Sequence, residues 1–246
     1  MTEPFTEDTL LGGRVRLRQP RDGFRAAIDS VLLAAATPAA AGDAVFEPGS
    51  GAGAAALCLA RRVAGCRVVG IEAQPDLVRL AGENARLNGL GDRIDVVVGD
   101  VAHPPPRIEP AGFAHVMMNP PHHVAERTDV SPRPGRAMAN TEGASSLAVW
   151  LDAGLRMLVR RGTLTLVHRA DRLDEILALL HGHAGEIVVF PLWPGPGVKP
   201  AKRVIIRARK ETGTPLRLAP GLVLHGGDGA FTAQADAVLR GAALEI

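Results

Sequence analysis

Three short stretches of this chain hold residues whose types and spacing could do chemistry. The first is Glu47-Pro48-Gly49-Ser50-Gly51-Ala52-Gly53, set between an apolar run, Ala44-Val45-Phe46, and an Ala/Leu-rich run, Ala54 to Val63. Strand, glycine turn, then helix is the entry to a nucleotide-type site in an α/β fold. Glycines at 49, 51 and 53 let the backbone turn tightly and approach a ligand with no Cβ in the way. The second stretch is a pair of acids at the ends of later apolar runs, Glu72 after Val68-Val69-Gly70-Ile71 and Asp100 after Gly99. The third is Asn119-Pro120-Pro121-His122, which follows Val116-Met117-Met118.

The acids narrow the ligand. Glu72 can accept hydrogen bonds from two ribose hydroxyls, which points to a nucleoside with its 2′-OH free. The turn also satisfies the dinucleotide fingerprint formally, with Gly49, Gly51 and Ala54. Glu47 argues the other way. A helix N-terminus with bare glycine amides attracts an anion, and a carboxylate at its mouth works against a pyrophosphate. A ligand with a positive group and no phosphate would welcome Glu47. S-adenosylmethionine fits: it joins an adenosine to an ammonium and a sulfonium. Asp100 can accept from the adenine amino group. In the alternative reading Glu47 faces solvent and the ligand is NAD, which would make the chain an oxidoreductase.

Asn119 and Pro120 suit a planar amine as acceptor. The lone pair of an aromatic or amide NH₂ is delocalised, so the group is a poor nucleophile. The Asn119 side-chain carbonyl and the Pro120 backbone carbonyl can each take one N–H. The nitrogen then aims its lone pair at the methyl carbon, and the acceptors stabilise the arriving positive charge. Pro120 and Pro121 fix φ, and Pro120 keeps Asn119 out of the helical region, so the loop is stiff. The competing reading of Asn-Pro-Pro is a plain turn. His122-His123 could suggest a metal, but no carboxylate or Cys partner is spaced for one.

These residues need a scaffold, and the periodicity supplies it. Strands are expected at 44–46, 67–71, 94–98, 113–118 and 163–168. Helices are expected at 53–63, 75–88, 145–160 and 172–181. This alternation predicts an α/β, doubly wound, mostly parallel seven-stranded sheet of Rossmann-like type. The last two strands, 186–190 and 203–208, are joined by the Pro/Gly loop 192–200 with no helix between them, so the last strand is expected antiparallel. Residues 1–42 form an N-terminal hairpin and helix flanking the pocket, with a strand at 14–18 and a helix at 25–36. Residues 43–210 form the core, and 211–246 are an extension packed on it, with a helix at 232–240.

With these motifs in order, the chain resembles the class I S-adenosylmethionine-dependent methyltransferases that carry an Asn-Pro-Pro-aromatic signature. More narrowly, it is similar to the bacterial tRNA adenine N6-methyltransferases that modify the adenine beside the anticodon of valine tRNA. The wider likeness covers about residues 43–168. The narrower one adds Arg16-Leu17-Arg18-Gln19-Pro20, Asp29-Ser30-Val31-Leu32-Leu33 and the compact length without an added RNA-binding domain. The resemblance implies that Glu47, Gly49, Gly51, Gly53, Glu72, Asp100 and Asn119 bind S-adenosylmethionine. It implies that Asn119, Pro120, Pro121 and His122 form the acceptor site for a tRNA base. The family usually has Tyr or Phe after the second proline, to stack on the flipped base; this chain has His122, whose ring offers a smaller face. The same chemistry also admits guanine N2 of ribosomal RNA or a protein glutamine amide as acceptor, or a protein that binds the donor without turnover.

Composition bounds the rest. Hydrophobic residues are 46% and charged residues 22% of the 246, which suits a soluble globular protein. Cys58 and Cys66 cannot build a disulfide framework, no apolar run reaches membrane-spanning length, and no signal peptide is evident, so a reduced cytoplasmic setting is expected. A net charge of +2 permits nucleic acid without demanding it. Arg127, Arg133, Arg136, Lys199, Lys202 and Arg203 fall in loops that could rim the pocket and meet phosphates. His103, His115, His168 and His225 read as structural or exposed. Trp150 and Trp193 read as packing residues, with Trp193 also able to stack on a base.

Overall fold

A computed structural model describes residues 5–21, 25–121, 145–197 and 199–246, together with the backbone of 123–124 and 141–142. His122, Arg127, Arg133 and Arg136 lie outside the described residues.

The chain opens with an antiparallel hairpin, β1 (Phe5–Leu10) and β2 (Val15–Pro20), closed by a turn in which Gly12 and Gly13 have positive φ. Helix α1 (Ile28–Ala36) follows, then β3 (Ala44–Pro48), α2 (Ala54–Arg62), β4 (Arg67–Glu72), α3 (Pro75–Leu87), β5 (Ile94–Val98) and β6 (Phe113–Met118). Two short segments, β7 (His123–Val124) and β8 (Thr141–Glu142), pair with each other. Next come α4 (Leu147–Met157), β9 (Leu158–Arg169), α5 (Leu173–Leu180), β10 (Ala184–Trp193) and β11 (Arg203–Lys210). The chain finishes with β12 (Arg217–Leu218), β13 (Leu222–Val223) and α6 (Ala233–Leu239).

Strands run in the order β5-β4-β3-β6-β9-β11-β10, with β12 and β13 both paired to the outer side of β10. Every pairing from β5 to β9 is parallel, and β11 is antiparallel to both β9 and β10. The sheet is thus the expected mostly parallel one with its last long strand reversed. It is extended at one edge by two segments too short to show a period.

Alternation of side chains across the pleat builds a core on each face. Val45, Met117, Val167 and Ile205 pack with α1, α2 and α6. Their strand neighbours Phe46, Val116, Leu166 and Ile206 pack with α4 and α5. Helix α1 is buried from Ser30 to Ala36, which requires small and apolar residues nearly all round. Thr232 caps α6 by accepting the Ala235 N–H at 3.1 Å, and Ala235 and Val238 join the same core as α1.

Several expected boundaries move by a few residues, two of them for clear local reasons. Helix α1 begins at Ile28 rather than Arg25, because the Gln19 side chain holds the Ala26 N–H at 2.6 Å in extended chain. The helix expected to reach Arg160 ends at Met157. Residues 158–162 instead bulge into β9, with Arg161 at φ 61° and the register against β6 shifting between Phe113 and His115.

Candidate active site

The order of β4, β3 and β6 sets the location. The chain leaves β3 toward β4 and β5 on one side, then returns to β6 on the other. The crevice at such a switch point, beyond the strands' carboxyl ends, is where open α/β sheets bind ligands. Phe46 pairs with Val116, and Pro48 pairs with Ile71. Continuing those registers, Gly49, Glu72 and Asn119 leave three adjacent strands at one level. Glu72 pairs with Val98, which brings Asp100 to the same edge.

The glycine turn is tightly specified. Gly49, Gly51 and Gly53 all have positive φ. At Gly49 a Cβ would lie 2.5 Å from the Trp150 ring, so the buried indole of α4 packs directly under the turn. The turn's amides are engaged within the protein. Gly49 and Ser50 donate to the Ile71 carbonyl at 2.8 and 3.0 Å, and Gly53 donates to that of Ser50 at 2.9 Å. Gly51 donates to Glu72 Oε2 at 3.0 Å. Glu72 Oε1 accepts the Gln74 N–H at 3.0 Å. Each carboxylate oxygen of Glu72 keeps a second lone pair for a ligand hydroxyl.

Glu47 is buried, not solvent-facing: 5% of its surface is exposed. Its pKa is pushed up to about 8 by burial, opposed by the Ala56 N–H and assisted by the negative charge of Glu72. Its Oε2 has no hydrogen-bond partner among the described residues, and the same holds for Asn119 Oδ1 and Trp150 Nε1. Buried polar groups without partners are uncommon: the two oxygens call for a donor, and the indole N–H calls for an acceptor.

Asn119 follows β6 half-buried, and Pro120 after it is buried. The Pro121 carbonyl accepts the Nε2–H of His168 at 3.2 Å. His168 is fully buried at the end of β9, and its pKa falls to about 4, first because of burial and then through the charges of Arg172 and Arg203. Asp100 is exposed, with Oδ1 accepting the Ala102 N–H at 3.0 Å.

Three residues touch these loops in ways that sequence reasoning did not specify. His168, read as structural or exposed, reaches the Asn-Pro-Pro loop. Trp150, read as packing, is packed against the glycine turn itself. Asn84 of α3 donates to the Ala52 carbonyl in that turn at 3.0 Å. Trp193 is half-buried and anchored: its Nε1–H donates to the Pro220 carbonyl at 3.0 Å and its backbone pairs with Val223. His115 meets Asp43 at 3.1 Å, and His225 meets the Pro194 carbonyl at 2.9 Å. Among the described residues no cluster of three metal-ligating side chains occurs, and no helix is long and apolar enough to cross a membrane.

Fold and comparisons agree: this is an S-adenosylmethionine-dependent methyltransferase, and a methyltransferase-domain family matches residues 45–132. The chain is similar to a tRNA1(Val) (adenine(37)-N6)-methyltransferase of Aeromonas hydrophila, 29% identical over 86% of this chain and 87% of that one. It is also similar to the enzyme of the same name from Tolumonas auensis, 27% identical over 65% and 66% of the two chains. Among solved structures, an Agrobacterium tumefaciens protein described as a predicted O-methyltransferase superposes with a TM-score of 0.74 at 25% identity, covering 88% of this chain and 98% of that one. TrmN from Thermus thermophilus shares the fold, with a TM-score of 0.53 at 20% identity over 74% of this chain and 48% of that one.

Proposed function

We propose that this protein methylates an exocyclic amine, the N6 of adenine in a tRNA. The observation that carries the reading is Asn119 Oδ1, a buried acceptor without a partner among the described residues, at the end of a strand adjacent to the one that bears the glycine turn. The two relatives named above support tRNA adenine as the acceptor.

The residues present fit the methyl donor. Glu47 Oε2 is a buried acceptor awaiting a donor group, which an ammonium supplies. Glu72 would take the ribose hydroxyls and Asp100 the adenine amino group, with Gly49, Gly51 and Gly53 giving close approach. When bound, the donor supplies an electrophilic sulfonium methyl group. Asn119 Oδ1 and the Pro120 carbonyl hold the two N–H bonds of the target amine and turn its lone pair forward. As nitrogen gains a fourth bond it becomes positive, and those two oxygens stabilise it. No strong base is required, because the proton leaves after transfer. An amine suits this pair better than a hydroxyl, whose single hydrogen would leave one carbonyl idle. His122 would take the place of the family's stacking aromatic.

Labelled-methyl transfer to total tRNA from cells lacking the enzyme tests the reading. The wild type should label tRNA, and Asn119→Ala should lose on the order of 10²-fold or more in rate. Label appearing on protein rather than tRNA, or no incorporation at all, would reject the tRNA acceptor.

A further inference from the structure

We infer that His168 is a positioning residue for the acceptor loop: by holding the Pro121 carbonyl, its ring N–H sets where the Asn119 amide and the Pro120 carbonyl point. The inference rests on the reading of Asn119-Pro120 as the amine-binding pair.

The chemistry of the loop makes an outside donor necessary. Neither proline has an N–H, so Pro120 and Pro121 can be tied down by hydrogen bonding only through their carbonyl oxygens. The Pro120 carbonyl is needed for the amine. The Pro121 carbonyl is the one His168 holds, at 3.2 Å. The Pro121 ring locks φ, so holding its carbonyl also limits the orientation of the planar Pro120–Pro121 peptide before it, which carries the Pro120 carbonyl and follows Asn119.

His168 itself has little freedom to move. It is fully buried, and its backbone pairs with Val204 of β11. On the other side, Met118 of β6 pairs with Leu166, so the register brings residue 120 alongside residue 168. The bond therefore joins two adjacent strand ends, one carrying the acceptor loop and one clamped on both sides.

The residue type also fits. Burial and the nearby Arg172 and Arg203 keep the imidazole neutral at physiological pH. A neutral N–H fixes a carbonyl without placing a full positive charge beside a nitrogen that becomes cationic on methylation. A lysine or arginine at 168 would oppose that charge.

Two variants and a spectroscopic reading test the inference. His168→Phe keeps a ring of similar size and removes the donor. His168→Gln places a side-chain N–H near the position of Nε2. His168→Phe should lower kcat by about 10- to 100-fold, with donor Kd little changed, and His168→Gln should recover most of the loss. Nitrogen-15 spectra of the wild type should show the Nε2–H tautomer at neutral pH, and hydrogen exchange over 113–121 should speed up in His168→Phe but not in His168→Gln. Wild-type kcat in His168→Phe would overturn the inference. So would a parallel fall in donor affinity and kcat, an Nδ1–H tautomer, or a Gln variant that folds but is no better than Phe. If the wild type fails to methylate tRNA, the acceptor assignment falls, while the spectra and exchange still decide the role of His168.

Discussion

The side chain of Asn84 pairs with the backbone of Arg18 as a second strand would: Nδ2 donates to the Arg18 carbonyl and Oδ1 accepts the Arg18 N–H, both at 2.9 Å. One helical turn later, Asn88 repeats the pattern on Arg16 at 2.7 and 2.9 Å. The match is geometric. Four helical residues rise about 6 Å, and two strand residues rise about 6.6 Å, so asparagines at i and i+4 meet strand residues at i and i+2. The free edge of β2 is thereby covered, and Asn84 continues to the Ala52 carbonyl in the glycine turn.

Asn84→Ala should consequently weaken donor binding as well as the fold. The residue is fully buried, and its loss strands the Arg18 N–H and two carbonyls. A loss of about 2–4 kcal/mol in unfolding free energy is expected, measured in urea. Asn88→Ala, whose bonds to Arg16 are exposed, should cost about 1 kcal/mol or less and leave donor affinity intact.

Glu47 should impose a pH dependence on stability and on binding. Burial raises its pKa to about 8 in the folded protein, from an ordinary value of 4.5. Below the ordinary value both folded and unfolded chains hold the proton. Between the two values the unfolded chain has released it and the folded one has not, so stability falls as pH rises through this window and levels above it. Glu47→Gln should flatten that slope and be the more stable protein at pH above about 8. If Glu47 meets the donor's ammonium as a carboxylate, binding near pH 6.5 should release close to one proton. Calorimetry in two buffers of different ionisation enthalpy would detect it, and Glu47→Gln should bind more weakly without release.

Gly49 and Gly51 should respond differently to alanine. Both sit at positive φ, at 69° and 54°, which costs a non-glycine residue about 1–2 kcal/mol. Gly49→Ala also drives a Cβ to 2.5 Å from the Trp150 ring, whereas a Cβ at Gly51 meets nothing within 4 Å. Thermal unfolding should show a markedly larger drop for Gly49→Ala, and Trp150→Leu should recover part of it in the double variant.

Lys199 and Lys202 are exposed on the loop between β10 and β11, at the edge where β11 starts beside the end of β9. The Lys202 carbonyl accepts the Ala170 N–H at 3.2 Å, which fixes the loop there. If they meet tRNA phosphates, replacing both by alanine should make the log–log salt dependence of tRNA binding shallower by about 1.5, with donor Kd unchanged. An unaltered slope would place the RNA elsewhere.

The sheet was legible because apolar runs such as Val68–Ile71 alternate with helical patterns, and because glycines and prolines mark the turns. The reversed last strand was legible from a connection with no helix. Other features rest on contacts that no local pattern records. In sequence His168 ends an apolar run and reads as structural or exposed, since its partner Pro121 lies 47 residues away. Asn84 and Asn88 read as the polar face of α3, although Asn84 is fully buried. Strand β1, Phe5-Thr6-Glu7-Asp8-Thr9-Leu10, has too few apolar residues to show a period, and it is specified through β2. The internal engagement of the glycine amides, by Ile71, Ser50 and Glu72, could not be anticipated from spacing.

That engagement bears on how the enzyme lives among the cell's other adenosine compounds. ATP and its relatives share the donor's base and sugar but would bring a phosphate chain toward a turn in which the Gly49, Ser50, Gly51 and Gly53 amides already donate within the protein. If the donor sits over this turn as proposed, an entering phosphate finds those four N–H groups taken, and the backbone itself contributes to selecting among adenosine compounds.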